Sequence, residues 1–166
     1  MMSITITIRD AKDEDLEAIN DIYNFYVPRS DCTMDIGPIP MEERRLWFNE
    51  HGPEHPIIVA EHEGDLLGWA SLSKYRVRAA YRPTVEDAIY VRDDMKRMGI
   101  GGALLDELIA RARWNGFRSI ISVINAEHTP SLALHKKKGF IEVGHLHQVG
   151  YKLGHWVDIK MLQLLL

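Results

Sequence analysis

Val85-Glu86-Asp87-Ala88-Ile89-Tyr90-Val91, followed closely by Met95-Lys96-Arg97-Met98-Gly99-Ile100-Gly101-Gly102, decides how this chain folds. The first run alternates and is rich in β-branched and aromatic residues, the pattern of a strand. After the second come Ile100, Leu104, Leu105, Leu108, Ile109 and Ala112, apolar at helical spacing. A basic, glycine-rich turn opening a helix offers unpaired backbone N–H groups, a favourable dipole end and little side-chain obstruction. Those are the properties of a phosphate receptor. The turn is not a P-loop, because no Gly-Lys-Ser/Thr follows at the required spacing. As a dinucleotide fingerprint it fails where Leu104 replaces the third glycine. Taken alone, it reads equally well as an ordinary tight strand-to-helix connection.

Working outward, residues 3–9 alternate as a half-buried strand. A helix begins near Asp13 with Leu16, Ile19, Ile22, Tyr23 and Tyr26 on one face and ends near Pro28. A second helix carries Met41, Leu46, Trp47 and Phe48 and stops at Gly52-Pro53. Strands over 56–62 and 66–75 flank the Glu63-Gly64-Asp65 turn and form a hairpin. Beyond the long helix, Ser119–Ile124 is a short buried strand. Thr129-Pro130-Ser131 opens a helix through Lys138, capped by Gly139. Two more strands, 140–151 and 156–165, close the sheet. The expectation is one α/β domain over 1–166, a mixed sheet flanked by helices.

With 166 residues, 46% apolar and 27% charged, the composition is that of a globular protein with one core. A net charge of −4 argues against nucleic acid as the main partner. No apolar run reaches membrane-spanning length, no export signal is apparent, and Cys32 is the sole cysteine. The expected compartment is the cytoplasm, without a disulfide. His145-x-His147 with His155 invites a metal reading, but the pattern shows no partner carboxylate or thiolate, so no metal is expected. The Lys136–Lys138 run reads as a solvated helix face.

The basic-x-x-Gly-x-Gly turn after an alternating strand resembles the pyrophosphate-binding motif of the GNAT superfamily of N-acetyltransferases, with Lys96 where Gln or Arg is usual. Ser131-Leu132-Ala133-Leu134-His135 through Gly139-Phe140 resembles the superfamily's later helix. A narrower resemblance, to phosphinothricin and methionine sulfoximine (sulfone) N-acetyltransferases, rests on Val149-Gly150-Tyr151-Lys152-Leu153-Gly154-His155-Trp156-Val157-Asp158. Arg78-Ala79-Ala80-Tyr81-Arg82-Pro83-Thr84-Val85-Glu86, Leu134-His135 and Trp47-Phe48 add to it. Together these matches cover essentially the whole chain in order.

The resemblance implies a mostly antiparallel mixed sheet with splayed central strands. It implies an enzyme moving the acetyl group of acetyl-CoA to the α-amine of a small amino-acid analogue, by direct attack in a ternary complex. Acetyl-CoA is then a co-substrate, to be held by Ile89, Tyr90, Val91, Lys96, Arg97, Met98, Gly99, Ile100, Gly101, Gly102, His128 and Ser131. His128 stands where the family usually has Asn. Glu86 is the expected general base, with orientation of the amine or pairing with an arginine as its plainer alternatives. Asp87, next to it, should face the other side of the strand. His135 occupies the place of a thiolate-protonating tyrosine, or is simply a packed, hydrogen-bonded histidine. Arg76, Arg78, Tyr81, Val85 and Met34 are the expected acceptor contacts, an arginine fork being suited to a carboxylate or phosphinate. Cys32 is read as structural or incidental. The same resemblance implies a homodimer. The competing readings are acetylation of a polyamine, an aminoglycoside or a peptide N-terminus, and a non-catalytic acyl-CoA-binding module.

Overall fold

The computed structural model describes residues 4–166; Ser3, the first residue of the expected opening strand, lies outside them. Strand β1 (Thr7–Asp10) is shorter than the alternation suggests, although Ile4 and Ile6 still pack on the core. A 3-10 turn at Asp13–Asp15 leads into α1 (Leu16–Tyr26), and α2 spans Met41–Asn49. The hairpin of β2 (Ile57–His62) and β3 (Asp65–Lys74) is followed by β4 (Thr84–Val91). Helix α3 runs Ile100–Trp114, β5 Ser119–Asn125 and α4 Thr129–Lys137, and β6 (Ile141–Lys152) and β7 (His155–Leu165) complete the chain.

These strands make one seven-stranded sheet in the order β1-β2-β3-β4-β5-β7-β6, antiparallel except between β4 and β5. The parallel pair arises because α3 crosses over between two sequential strands, as a parallel connection requires. Two cores follow from strand alternation. On one face Leu72, Val85, Leu104, Leu105, Leu108, Ile120 and Leu162 pack around α3. On the other, Ile19, Ile22, Tyr26, Val59 and Trp69 pack around α1. Among the described residues, no helix is long and apolar enough to cross a membrane.

The β3–β4 ladder is continuous from Lys74↔Val85 to Gly68↔Val91. The β4–β5 ladder holds only from Thr84↔Ser119 to Glu86↔Ile121 and then stops. The two central strands therefore part after Glu86, the third of the eight residues of β4. That parting positions everything described next.

Candidate active site

Strand β4 deals its side chains alternately to the two faces. Val85, Ile89 and Val91 join the α3 core, and Ala88 and Tyr90 join the α1 core. Glu86 shares the α1 face with Ala88 and Tyr90 by the period of two, and Asp87 lies on the α3 face. Glu86 is half-buried, and among the described residues its carboxylate makes no ion pair or hydrogen bond. Burial pushes its pKa above the ordinary value of 4.5; the neighbouring Asp87 charge adds to this and Arg76 opposes it. An unpartnered carboxylate with a raised pKa has the chemistry of a proton acceptor.

Asp87 differs in every respect. It is buried, its Oδ1 accepts from Ser122 Oγ on β5, and its Oδ2 lies 2.8 Å from His135 Nε2 on α4. The other ring nitrogen of His135 lies 2.8 Å from the Ser131 carbonyl. Both imidazole nitrogens are thus engaged inside the protein. His135 takes the arrangement of a packed, hydrogen-bonded histidine and presents no free donor for a leaving thiolate. Burial works against its charge, yet the hydrogen bond and charge of Asp87 prevail and raise its pKa. Ser131, on the same helix, is half-buried one turn earlier.

Where β4 leaves β5, the direction of the main chain can be assigned. Arg92 N–H donates to the Leu67 carbonyl at 2.8 Å, on the β3 side. Alternation then turns the N–H groups of Ile89 and Val91 toward the gap beside β5, and that of Tyr90 toward β3. The Tyr90 amide belongs to the ladder with β3, opposite Trp69. At the gap's edge Tyr26 Oη donates to the Val91 carbonyl at 2.5 Å.

The gap opens toward the N-terminus of α3. Gly99 caps this helix with φ +82°, a conformation that glycine adopts without strain, and Arg97 beside it also has positive φ (65°). The first N–H groups of the helix, at Ile100, Gly101 and Gly102, have no partner within it. Space around Gly99 is open to 4 Å, and Lys96, Arg97, Met98 and Gly99 are exposed, so the turn offers donors without obstruction. Lys96 Nζ pairs with Asp93 at 2.5 Å and lies 4.9 Å from the centre of the Tyr26 ring. His128 is the N-cap residue of α4 and is exposed. These residues fit a pyrophosphate: backbone donors, a helix dipole and basic side chains meet at one open turn.

Tyr75, Arg76, Val77, Arg78 and Tyr81 line one open cleft of about 600 Å³. The Arg76 guanidinium lies 5.0 Å from the centre of the Tyr75 ring, which meets Tyr81 edge-on. Arg76, Arg78 and Tyr81 are therefore together. Val85 is not with them: it is fully buried in the α3 core, on the face opposite Glu86, and is withdrawn as an acceptor contact. Met34 is exposed but lies over Gly150 of β6, apart from the arginine cleft.

Several side chains on the α1 face of β3 and β4 escape the sequence reading as site residues. Ser73 stands directly opposite Glu86 on β3, with its Oγ 2.9 Å from His51 Nε2; His51 Nδ1 is 2.7 Å from the Trp47 carbonyl. Tyr23 contacts both Thr33 and Asp35 through its hydroxyl and stacks edge-on against Tyr90, with centroids 4.9 Å apart. Its pKa is pushed up to about 12 by burial and by the Asp35 hydrogen bond. The buried Arg44 guanidinium lies between Tyr23 and Trp47, 4.7 Å from each ring centre. The β3–β4 register places positions 69, 71 and 73 on the face of 86, 88 and 90. Cys32 is partly buried, and burial raises its thiol pKa, which suits a structural role.

The acetyltransferase (GNAT) family profile matches residues 16–140. The L-methionine sulfoximine/L-methionine sulfone acetyltransferase of Pseudomonas aeruginosa is 37% identical over 163 residues, covering 97% of this chain and 95% of that protein. The phosphinothricin N-acetyltransferase of Alcaligenes faecalis is 37% identical over 95% of this chain and 81% of that protein. Among solved structures, a GNAT superfamily phosphinothricin acetyltransferase from Sinorhizobium meliloti, in complex with acetyl-CoA, superposes with a TM-score of 0.94. It is 39% identical, and the match covers 98% of this chain and 89% of that one.

Proposed function

We propose a substrate and a mechanism from one premise: this chain belongs to the acetyltransferase (GNAT) family. It is an acyl-CoA-dependent N-acetyltransferase, with acetyl-CoA as its co-substrate. The acceptor is the α-amine of a small amino acid whose side chain ends in a tetrahedral polar group, such as methionine sulfone, methionine sulfoximine or phosphinothricin. The observation that carries this reading is the placement of Glu86. A half-buried carboxylate of raised pKa, unpartnered among the described residues, stands where β4 leaves β5, beside an arginine cleft.

Acetyl-CoA supplies the acetyl group as an activated thioester. The α3 N-terminus and the Lys96–Gly102 turn bind its pyrophosphate, with His128 and Ser131 at the neighbouring end of α4. The main-chain N–H groups of Ile89 and Val91 polarise the acetyl carbonyl, and fixed donors of this kind contribute about 3–4 kcal/mol to a transition state. Arg76, Arg78 and Tyr81 orient the acceptor by its anionic groups. Glu86 removes the proton from the acceptor ammonium. The free amine attacks the thioester carbonyl, and the new C–N bond forms as the C–S bond breaks. Coenzyme A leaves as a thiolate that takes up the proton lost by the amide nitrogen. A carboxylate whose pKa lies closer to neutrality does this better than an ordinary one. Asp87 and His135 hold the parted strands to α4 and touch no reacting atom. The cationic cleft disfavours polyamines and aminoglycosides, which it repels.

We also read the protein as a cytoplasmic homodimer. Support comes from the exposed apolar side chains of the β6–β7 hairpin, among them Ile141, Val149, Tyr151 and Trp156.

The test is coenzyme A release from acetyl-CoA with methionine sulfone, methionine sulfoximine, phosphinothricin, methionine, spermidine and an aminoglycoside, with Glu86→Gln in parallel. Turnover confined to the tetrahedral-headed amino acids and lost in the variant is the expected result. Turnover of spermidine or the aminoglycoside instead overturns the acceptor. Tight acetyl-CoA binding with no turnover of any amine points to the non-catalytic module.

A further inference from the structure

The β6–β7 hairpin holds a cluster that acetyl transfer does not use. Its ladder is interrupted: Leu146 pairs with Ile159 and Gly150 with Val157, so residues 147–149 lie opposite Asp158 alone. This bulge has Gln148 at φ +52° and turns the strand so that two imidazoles and a carboxylate converge. We propose that His145, His147 and Asp158 form a binding site for one divalent transition-metal ion of the Zn²⁺ class.

The ligand atoms of the three residues all lie within 4.8 Å of one another. His145 Nε2 is 3.0 Å and His147 Nδ1 2.9 Å from the same oxygen, Asp158 Oδ2. A tetrahedral ion with bonds of about 2.0 Å sets its ligands about 3.3 Å apart, so small side-chain rotations complete the geometry. The carboxylate is already oriented, because Gln148 N–H donates to Oδ1 at 2.8 Å and leaves Oδ2 for the imidazoles. That amide serves as the outer hydrogen bond that fixes a metal-ligating carboxylate. The two rings stack with centroids 4.2 Å apart, both turned to the one oxygen. A single cation among the three ligands replaces two competing N–H donors.

Two nitrogens and one oxygen select a borderline ion of the Zn²⁺, Co²⁺ or Ni²⁺ kind, whereas Ca²⁺ and Mg²⁺ require oxygen ligands. His147 is largely exposed, which leaves a coordination position for water. The adjacent cations are already compensated: Lys160 Nζ lies 3.1 Å from Glu142, and His155 lies 2.9 Å from Asp31 across the same cleft of about 410 Å³. In sequence the two histidines lacked a carboxylate partner. The hairpin supplies it from the opposite strand. Bound metal would tie the bulge of β6 to β7 beside the segment that carries Asp31, a structural clip independent of acetyl transfer.

The test uses tag-free, chelator-treated full-length protein titrated with Zn²⁺ against a chromophoric chelator. Co²⁺ is followed in parallel by its visible spectrum. One equivalent should bind with a tetrahedral Co²⁺ spectrum, and thermal stability should rise with added Zn²⁺. His147→Ala, at an exposed position, should weaken binding about tenfold or more while leaving coenzyme A release unchanged. His155→Ala should bind as the parent does. Absence of stoichiometric binding, undiminished binding in His147→Ala, or loss in His155→Ala instead would each overturn the assignment.

Discussion

Glu86 and Asp87 are consecutive carboxylates on one strand, yet the fold gives them opposite lives. Asp87 is buried among Ser122 and His135 and joins β4, β5 and α4 at the point where the parallel ladder ends. Glu86 faces the α1 side without a partner among the described residues, and its pKa is raised. The difference comes from the two-residue period of a strand lying between two cores. It teaches that the group proposed as the base is the one the fold leaves unsatisfied, while its neighbour is tied into the strands.

Three changes on or beside β4 break this comparison in decreasing order of effect. Glu86→Gln removes the proton acceptor and leaves the packing intact, so kcat should fall about 10²–10⁴-fold with little change in melting temperature. Coenzyme A release and a thermal melt check both halves. Asp87→Asn should do the reverse. It leaves His135 and Ser122 poorly satisfied in the interior, at a cost of about 1–3 kcal/mol, which a denaturant titration will read. Equal effects of the two substitutions on both readouts would erase the distinction between the residues.

The same pair differs in its response to pH. His135 has a folded pKa raised above its ordinary value of 6.5. Its charged pairing with Asp87 therefore stabilises the fold fully below about pH 6.5 and is lost as pH rises through the folded pKa. The stability gap between parent and Asp87→Asn should narrow over that rise. Glu86 instead governs rate: activity should fall as the pH drops through its pKa, and the acidic limb should lie above the ordinary 4.5. Arg76 holds that pKa down, so Arg76→Ala should move the limb further upward. Rate profiles across pH for the two proteins provide the check.

The strands and helices were legible because their periods are strong and their punctuation is plain. The Glu63-Gly64-Asp65 turn and Gly139 sit at element boundaries, and Gly52-Pro53 lies in the loop between α2 and β2. The most overextended element was β1, where the apolar packing of Ile4 and Ile6 outlasts the ladder. The opposite facing of Asp87 was also legible, since it follows from alternation alone. What Asp87 touches was not, because Ser122 and His135 reach it from elements 35 and 48 residues away. Val85 was misread for the same reason: its proximity to Glu86 along the chain conceals that it points into the opposite core. His51, Ser73 and Tyr23 were missed because only the β3–β4 register and the docking of α1 and α2 bring them to the face of β4 that carries Glu86 and Tyr90.

The smallest change leaves β4 alone and asks whether the α1 face extends as far as β6. Met34 rests on Gly150, where a Cβ would overlap its Cε. The flanking Thr33 and Asp35 both contact Tyr23, which stacks on Tyr90, the residue two turns of alternation beyond Glu86. Lys152 Nζ donates to the Thr33 carbonyl at 2.5 Å and fixes this segment to β6. In Gly150→Ala the flexible methionine must swing off the strand while the anchored backbone stays. Stability should then change by about 0.5 kcal/mol or less, as at a surface site. If Met34 walls the acceptor, KM for methionine sulfone should rise with kcat unchanged, the pattern of lost uniform binding. An unmoved KM would confine acceptor recognition to the arginine cleft and end the acceptor face at Tyr23.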